Sequence, residues 1–334
     1  MKNWKRYIGG ALLAFGLAML PQCSFGNHAA APAAEVRGIV LTGEAKQDYI
    51  REQMDALFYP SENAKAEEFT APAGWTYEKF IIGDVPVERL APPNPKSRRV
   101  FLQLHGGGYM GGLTDLYRAL AVRQAEYTDA AEVYCVEYRL SPPYVYPAAL
   151  EDAAAVYQGL LARGIAPEDI ILFGDSAGGN LAVELAIHLR DESIPQPAVL
   201  ILASPWADFE HKAGTSRTWN FDKDKALGKG TPLGAVIHFT PPYAGSLPLD
   251  DPRLSPIHAD LSNLPPMLIQ TGGYELFLTE DELLAKKAQA DGTPVTFTVY
   301  PEMPHDFALV LPELAESFAS LEEMQSFVDQ HMPR

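Results

Sequence analysis

The chain is poor in cysteine: its 334 residues contain two, Cys23 and Cys135. Cys23 falls at the edge of a leader-like N-terminus, which leaves Cys135 alone in the apolar run Ala131–Val136. That excludes a structural disulfide, and a lone cysteine on a buried strand behaves as a small hydrophobe. With no glycine turn beside it, Cys135 does not read as a nucleophile. No Cys/His group has the spacing of a zinc site, so no metal is predicted. The glycines at 106–108 spell neither a dinucleotide fingerprint nor a phosphate loop, and no cofactor is predicted. Positive charge is also scarce. Lys and Arg total 26 against 43 Asp and Glu, a net charge of −17 that argues against nucleic acid or an anionic membrane as partner. Internal repeats are absent, and low complexity is confined to the Ala/Pro stretch near Ala29. What remains is a chain with 47% hydrophobic residues, long enough to bury one large core.

The first 26 residues are set apart from the fold as a targeting segment. Lys2, Lys5 and Arg6 form a positive start, and Ile8–Leu20 supply an apolar stretch too short to span a bilayer comfortably. Ser24-Phe25-Gly26 offers small residues where a signal peptidase cuts, which predicts export to the periplasm or medium and a mature chain without a membrane span. Leu20-Pro21-Gln22-Cys23 leaves a lipid anchor at Cys23 open, although Gln22 fits poorly before a modified cysteine.

The most informative stretch is Gly174-Asp175-Ser176-Ala177-Gly178. It closes the apolar run Asp169–Phe173 and opens the helical run Gly179–Ala186. A Gly-x-Ser-x-Gly between strand and helix is a nucleophile elbow, a turn tight enough that only glycine fits beside the serine. Upstream, His105-Gly106-Gly107-Gly108-Tyr109 follows another strand-like run, Arg99–Leu104. Acyl transfer builds negative charge on the former carbonyl oxygen, and backbone N–H donors aimed at it lower the barrier. Gly106 and Gly107 are the expected donors from this loop, with Ala177, the residue after the nucleophile, as the third. His105, at a strand end before glycines, reads as a structural histidine holding that loop by hydrogen bonds.

These two motifs, with Glu137-Tyr138-Arg139-Leu140-Ser141-Pro142 and Tyr146-Pro147-Ala148-Ala149-Leu150-Glu151-Asp152, resemble the hormone-sensitive-lipase-like α/β-hydrolases, the bacterial family IV esterases. The resemblance runs from about Val85 to the C-terminus. It implies a lipase-like serine carboxylesterase whose triad follows the chain order serine, acid, histidine. It also implies that helices before the first core strand form a cap over the active site.

The base is sought after the elbow. Met303-Pro304-His305-Asp306-Phe307 follows Val295–Tyr300, an alternating β-rich run that reads as the last strand, so His305 sits on a loop at a strand end. His28, His211 and His331 lie in polar or terminal stretches, His188 within the helix after the elbow, and His238 and His258 in a Pro-rich segment. The acid is sought after the strand Pro266–Thr271, in Gly272–Asp281. The common family pattern places an aspartate followed by proline and leucine there. This chain departs from it and offers Glu275, as a branch of the family does. Glutamate can orient the imidazole as aspartate does, with one extra methylene. Glu280 and Asp281 are the alternatives, read instead as the start of a helix capped by Thr279.

Along the chain, residues 27–75 read as helical, with Tyr49, Ile50, Met54, Leu57 and Phe58 on one face. Strand-like runs at 78–90, 99–104, 132–138, 170–173, 199–203, 267–270 and 295–300 alternate with helical ones at 114–127, 147–163, 178–190, 279–290 and 312–330. The pattern predicts an α/β-hydrolase fold, a mostly parallel eight-stranded sheet with helices on both faces and antiparallel first strands. The hydrolase domain would occupy 76–334. Residues 206–264 break the rhythm and read as a second part of the cap, with Trp219, Phe221, Phe239 and Tyr243 as pocket walls. The function expected is hydrolysis of short-chain acyl esters or lactones by Ser176, Glu275 and His305. An amidase or formamidase using the same groups stays open, as does a non-catalytic ligand-binding protein on this fold. Nothing marks a subunit interface.

Overall fold

A computed structural model describes residues 37–60, 69–234 and 240–332, all within the unit Arg37–Arg334. The segment 1–26 expected as a leader, with Cys23, and also His28, His238 and Phe239, lie outside the described residues.

Eight strands form one sheet: β1 (Thr76–Ile82), β2 (Val85–Ala91), β3 (Val100–Leu104), β4 (Glu132–Val136), β5 (Ile170–Asp175), β6 (Val199–Ala203), β7 (Met267–Gly272) and β8 (Val295–Tyr300). Their order across the sheet is β1-β2-β4-β3-β5-β6-β7-β8. β1 and β2 are antiparallel, β2 pairs antiparallel with β4, and every later pair is parallel. The run 78–90, where the sequence predicts antiparallel first strands, is a hairpin. Gly83 and Asp84, both at positive φ, make the two-residue turn that matches strand twist.

The central strands are buried on both faces, as parallel strands between helix layers must be. In β5, Ile170 and Leu172 pack into one core while Ile171 and Phe173 pack into the other. The first core receives α3 (Ala148–Ala162), α4 (Ser176–Asp191) and α6 (Leu278–Ala290); the second receives α2 (Asp115–Thr128) and α8 (Ala315–His331). A four-residue helix, α7 (Phe307–Val310), follows β8.

N-terminal to the sheet, the described helix is α1 (Gly43–Phe58); residues 27–36 and 61–68 of the expected 27–75 span lie outside the described residues. The helix stops before Pro60, because a residue preceding proline is pushed out of the helical region. The buried Lys46 of α1 pairs with Glu316 at 2.7 Å and donates to the Pro301 carbonyl at 3.0 Å, fastening the helix to the C-terminal part of the domain. Between β6 and β7 the described residues of the segment 206–264 are irregular apart from α5 (Ser216–Trp219) and two 3-10 turns. No helix among the described residues is long and apolar enough to cross a membrane.

One buried carboxylate ties the hairpin to α2. Glu88 accepts from Tyr77 Oη (2.7 Å) and from Arg118 Nε and Nη2 (2.6 and 2.7 Å), and pairs with Lys79. Burial alone would raise its pKa, but the Arg118, Lys79 and Tyr77 hydrogen bonds outweigh burial and bring it from the ordinary 4.5 down to about 2. A depressed carboxylate contributes stability above its unfolded pKa and loses it as pH falls through the folded one. Denaturant unfolding should therefore show stability declining from about pH 4.5 toward 2, with Glu88→Gln less stable at pH 6 and flatter across that window.

Candidate active site

The loops that carry chemistry all leave the C-terminal ends of strands, where open α/β sheets place their sites. Leu104 of β3 pairs in register with Gly174 of β5, which puts the glycine loop beside the elbow. Ser176 begins α4 with φ 49°, the strained conformation of an elbow. A Cβ on Gly178 would collide with the Leu104 carbonyl, so the close approach of the helix to β3 requires glycine.

His305 follows β8, and its Nε2 lies 2.9 Å from Ser176 Oγ. Both side chains are nearly fully buried. The sequence placed these residues 129 apart, and the sheet brings them into contact. The Phe277 ring packs against the imidazole in a T-shaped contact, centroids 4.7 Å apart.

Glu275 follows β7 and is fully buried. Its Oε2 accepts from Ser204 Oγ at 2.6 Å and from the Gly272 N–H at 2.8 Å. Among the described residues neither its Oε1 nor His305 Nδ1 has a conventional hydrogen-bond partner. Catalytic hydrogen bonds are often long without substrate and tighten when it binds. Asp281, also fully buried, accepts from Thr271 Oγ1 at 2.8 Å and shares a hydrogen bond with Glu275. Burial, then the Glu275 charge, pushes the Asp281 carboxyl well above its ordinary range, while burial raises Glu275 as well and the His305 charge draws it back down. Glu280 is taken up by Arg217, with Nη2 at 3.1 Å from both carboxylate oxygens. Thr279 is not a helix cap: α6 begins at Leu278, and Thr279 Oγ1 instead accepts from Ser216 N (2.9 Å).

The glycine loop differs from expectation in one respect. The Gly106 N–H donates to Asp175 Oδ1 at 3.1 Å, so this amide is already engaged. Tyr117 Oη donates to the other oxygen of Asp175 at 2.9 Å. Asp175, the residue before the nucleophile, thus pins the loop to the elbow. Gly107 and Gly108 line the cavity instead, both at positive φ, and among the described residues no hydrogen bond uses their N–H groups. His105 is structural as expected. Its Nδ1 bonds the Gly106 carbonyl at 2.8 Å, its ring stacks on Tyr138, and burial lowers its pKa to about 4, keeping it neutral.

Ser176 and His305 open onto a cavity of about 480 Å³. Met54, Leu57 and Phe58 of α1 form one wall. Trp206, Ala226, Leu227, Leu233 and Pro241 from the 206–264 segment form another, and Phe277, Leu309 and Val310 a third. The aromatic residues expected as walls are elsewhere among the described residues. Tyr243 is buried in a stack on Tyr109 (3.7 Å), and Trp219 is half exposed at the surface. Cys135 is buried on β4, where burial pushes its thiol up and keeps it unreactive.

Sequence reasoning missed Asp175, Ser204 and Asp224. Asp224 accepts from the N–H groups of Ala226, Leu227 and Leu276, joining the 206–264 segment to the Glu275 loop. Asp175 alone had a signal, its place inside the elbow motif. Ser204 and Asp224 lie in no motif.

A family model described as alpha/beta hydrolase fold matches residues 101–309. An acetyl-hydrolase of Streptomyces hygroscopicus is 37% identical over 236 residues, covering 71% of this chain and 77% of the relative. An esterase of Acinetobacter venetianus is 32% identical, covering 69% and 76%. Among solved structures, an esterase from the bacterial hormone-sensitive lipase family superposes with a TM-score of 0.77 at 30% identity, covering 87% of this chain and all of that one. Motifs, sheet order and relatives agree: the chain belongs to the hormone-sensitive-lipase-like family of α/β-hydrolases and is a serine hydrolase of the carboxylic-ester class.

Proposed function

We propose that the protein hydrolyses small carboxylic esters with an apolar acyl group, using Ser176 as nucleophile, His305 as base and Glu275 as the acid. The observation that carries this reading is the 2.9 Å contact between His305 Nε2 and Ser176 Oγ at the floor of an apolar cavity. In the first half-reaction neutral His305 takes the serine proton as Oγ attacks the ester carbonyl. The N–H groups of Gly107, Gly108 and Ala177 receive the developing oxyanion. Ala177 qualifies because the first amides of a helix lack intrahelical acceptors. His305 then protonates the departing alcohol, and water repeats the sequence on the acyl-enzyme to release the acid.

Glu275 fits the acid's task because its Oε2 is locked by Ser204 and Gly272, leaving Oε1 for His305 Nδ1 as the imidazolium forms. Relatives named acetyl-hydrolase and esterase support ester substrates with short acyl groups. We further propose that α1 and the 206–264 segment act as the cap, since both supply cavity walls, and that the N-terminal leader exports the chain.

Steady-state assays with p-nitrophenyl acetate, butyrate and octanoate beside p-nitroacetanilide test this reading. Turnover of the esters with the anilide inert is the expected result. Comparable anilide hydrolysis would assign the site to amides, and no turnover of either would remove the proposal.

A further inference from the structure

The apolar cavity contains one carboxylate that ester hydrolysis does not require. Asp306 lines it, and its side chain is 12% exposed. The residue sits at φ 52°, a left-handed turn that sends its N–H to Ser204 Oγ at 3.2 Å. The same turn brings Asp306 Oδ2 to 3.0 Å from His305 Nε2, the nitrogen that also lies 2.9 Å from Ser176 Oγ. A carboxylate cannot rest this close to a bare nitrogen lone pair, because both are acceptors. The contact is attractive only when Nε2 carries a proton. Yet a base must present that lone pair to the serine.

We propose that Asp306 is a positioning residue that holds resting His305 as an imidazolium through Nε2 and thereby sets the pH at which the enzyme becomes active. The inference rests on the assignment of His305 as base. Other groups facing His305 act in the same direction or are neutral. Glu275 approaches from the loop after β7, Asp224 from the 206–264 segment, and Asp175 from the end of β5; Ser176 is uncharged. Arg217 packs on the Phe277 ring and is paired with Glu280, so it does not counter them. Burial opposes the imidazolium. The Asp306 charge and hydrogen bond, followed by Glu275 and Asp224, override burial and push His305 up to about 9. With a raised pKa the inactive, protonated form persists to alkaline pH, and activity rises as pH passes that value. Neutralising Asp306 lets burial count for more, so the transition moves toward lower pH, although Glu275 and Asp224 remain.

The test uses the full chain with isotope-labelled histidine. The His305 resonance is assigned by its loss in His305→Gln and followed by NMR against pH in the wild type, Asp306→Asn and Asp306→Glu. kcat/KM for p-nitrophenyl butyrate is recorded over the same range. Asparagine tolerates the left-handed conformation, so Asp306→Asn keeps the turn. The expected result is a His305 midpoint lower by about one pH unit or more in Asp306→Asn, within the range for removal of an adjacent charge. The rising limb of kcat/KM should move equally. Asp306→Glu should keep the high midpoint. An unmoved midpoint in Asp306→Asn overturns the proposal, and so does an equal fall in Asp306→Glu, which would trace the effect to packing. If no variant hydrolyses ester, the proposed function fails, while the NMR midpoint still decides the role of Asp306.

Discussion

Ser176→Ala should lower kcat by roughly 10⁶, leaving only the residual rate that binding and oxyanion donors supply in serine hydrolases stripped of their nucleophile. Labelling by a fluorophosphonate, seen as a mass increase on intact protein, should vanish with it. The fold should survive. Alanine removes one oxygen, and the Ser176 carbonyl that accepts from Trp206 N at 2.9 Å belongs to the backbone. The cost of φ 49° at position 176 is nearly the same for alanine as for serine, so thermal stability should change little. Retained labelling in Ser176→Ala would move the nucleophile elsewhere and take the elbow reading with it.

The second large effect separates two carboxyls that share a hydrogen bond. Glu275→Gln should cut kcat by about 10⁴, the loss seen when a triad acid becomes an amide and the imidazole takes the wrong tautomer. Asp281→Asn should keep kcat within about tenfold of wild type. The Asp281 carboxyl is pushed well above its ordinary range, and an asparagine amide can still donate to Glu275 while accepting from Thr271 Oγ1. Circular dichroism of both variants checks that they are folded. A collapse of kcat in Asp281→Asn with Glu275→Gln active would hand the acid's role to Asp281. The physical basis is burial: two carboxyls this close in a low-dielectric site do not both ionise, and the one nearer a developing cation keeps the charge.

Much of the fold was legible because its signals are local. The period-two run Val295–Tyr300 and the all-apolar run Val199–Ala203 have the same bounds as β8 and β6. Elbow and glycine loop were legible because a tight turn leaves few residue choices. His305 was found as the histidine at a strand end downstream of the serine. Where the reading went astray, the cause was a partner distant in sequence. Gly106 looks like an oxyanion donor until Asp175, 69 residues later, takes its N–H. Thr279 looks like a helix cap until Ser216 claims its hydroxyl. Tyr243 looks like a pocket wall until it stacks on Tyr109.

By itself, the order of residues determined the sheet, the elbow, and which serine and histidine stand at strand ends, since each depends on neighbours within a few positions. Tertiary structure alone decided which amides remain free at the cavity, how far each buried carboxyl is pushed up, and that a second carboxylate, Asp306, reaches Nε2 of the base. Those outcomes depend on burial and on hydrogen-bond competition between groups far apart along the chain, and neither is written in local pattern.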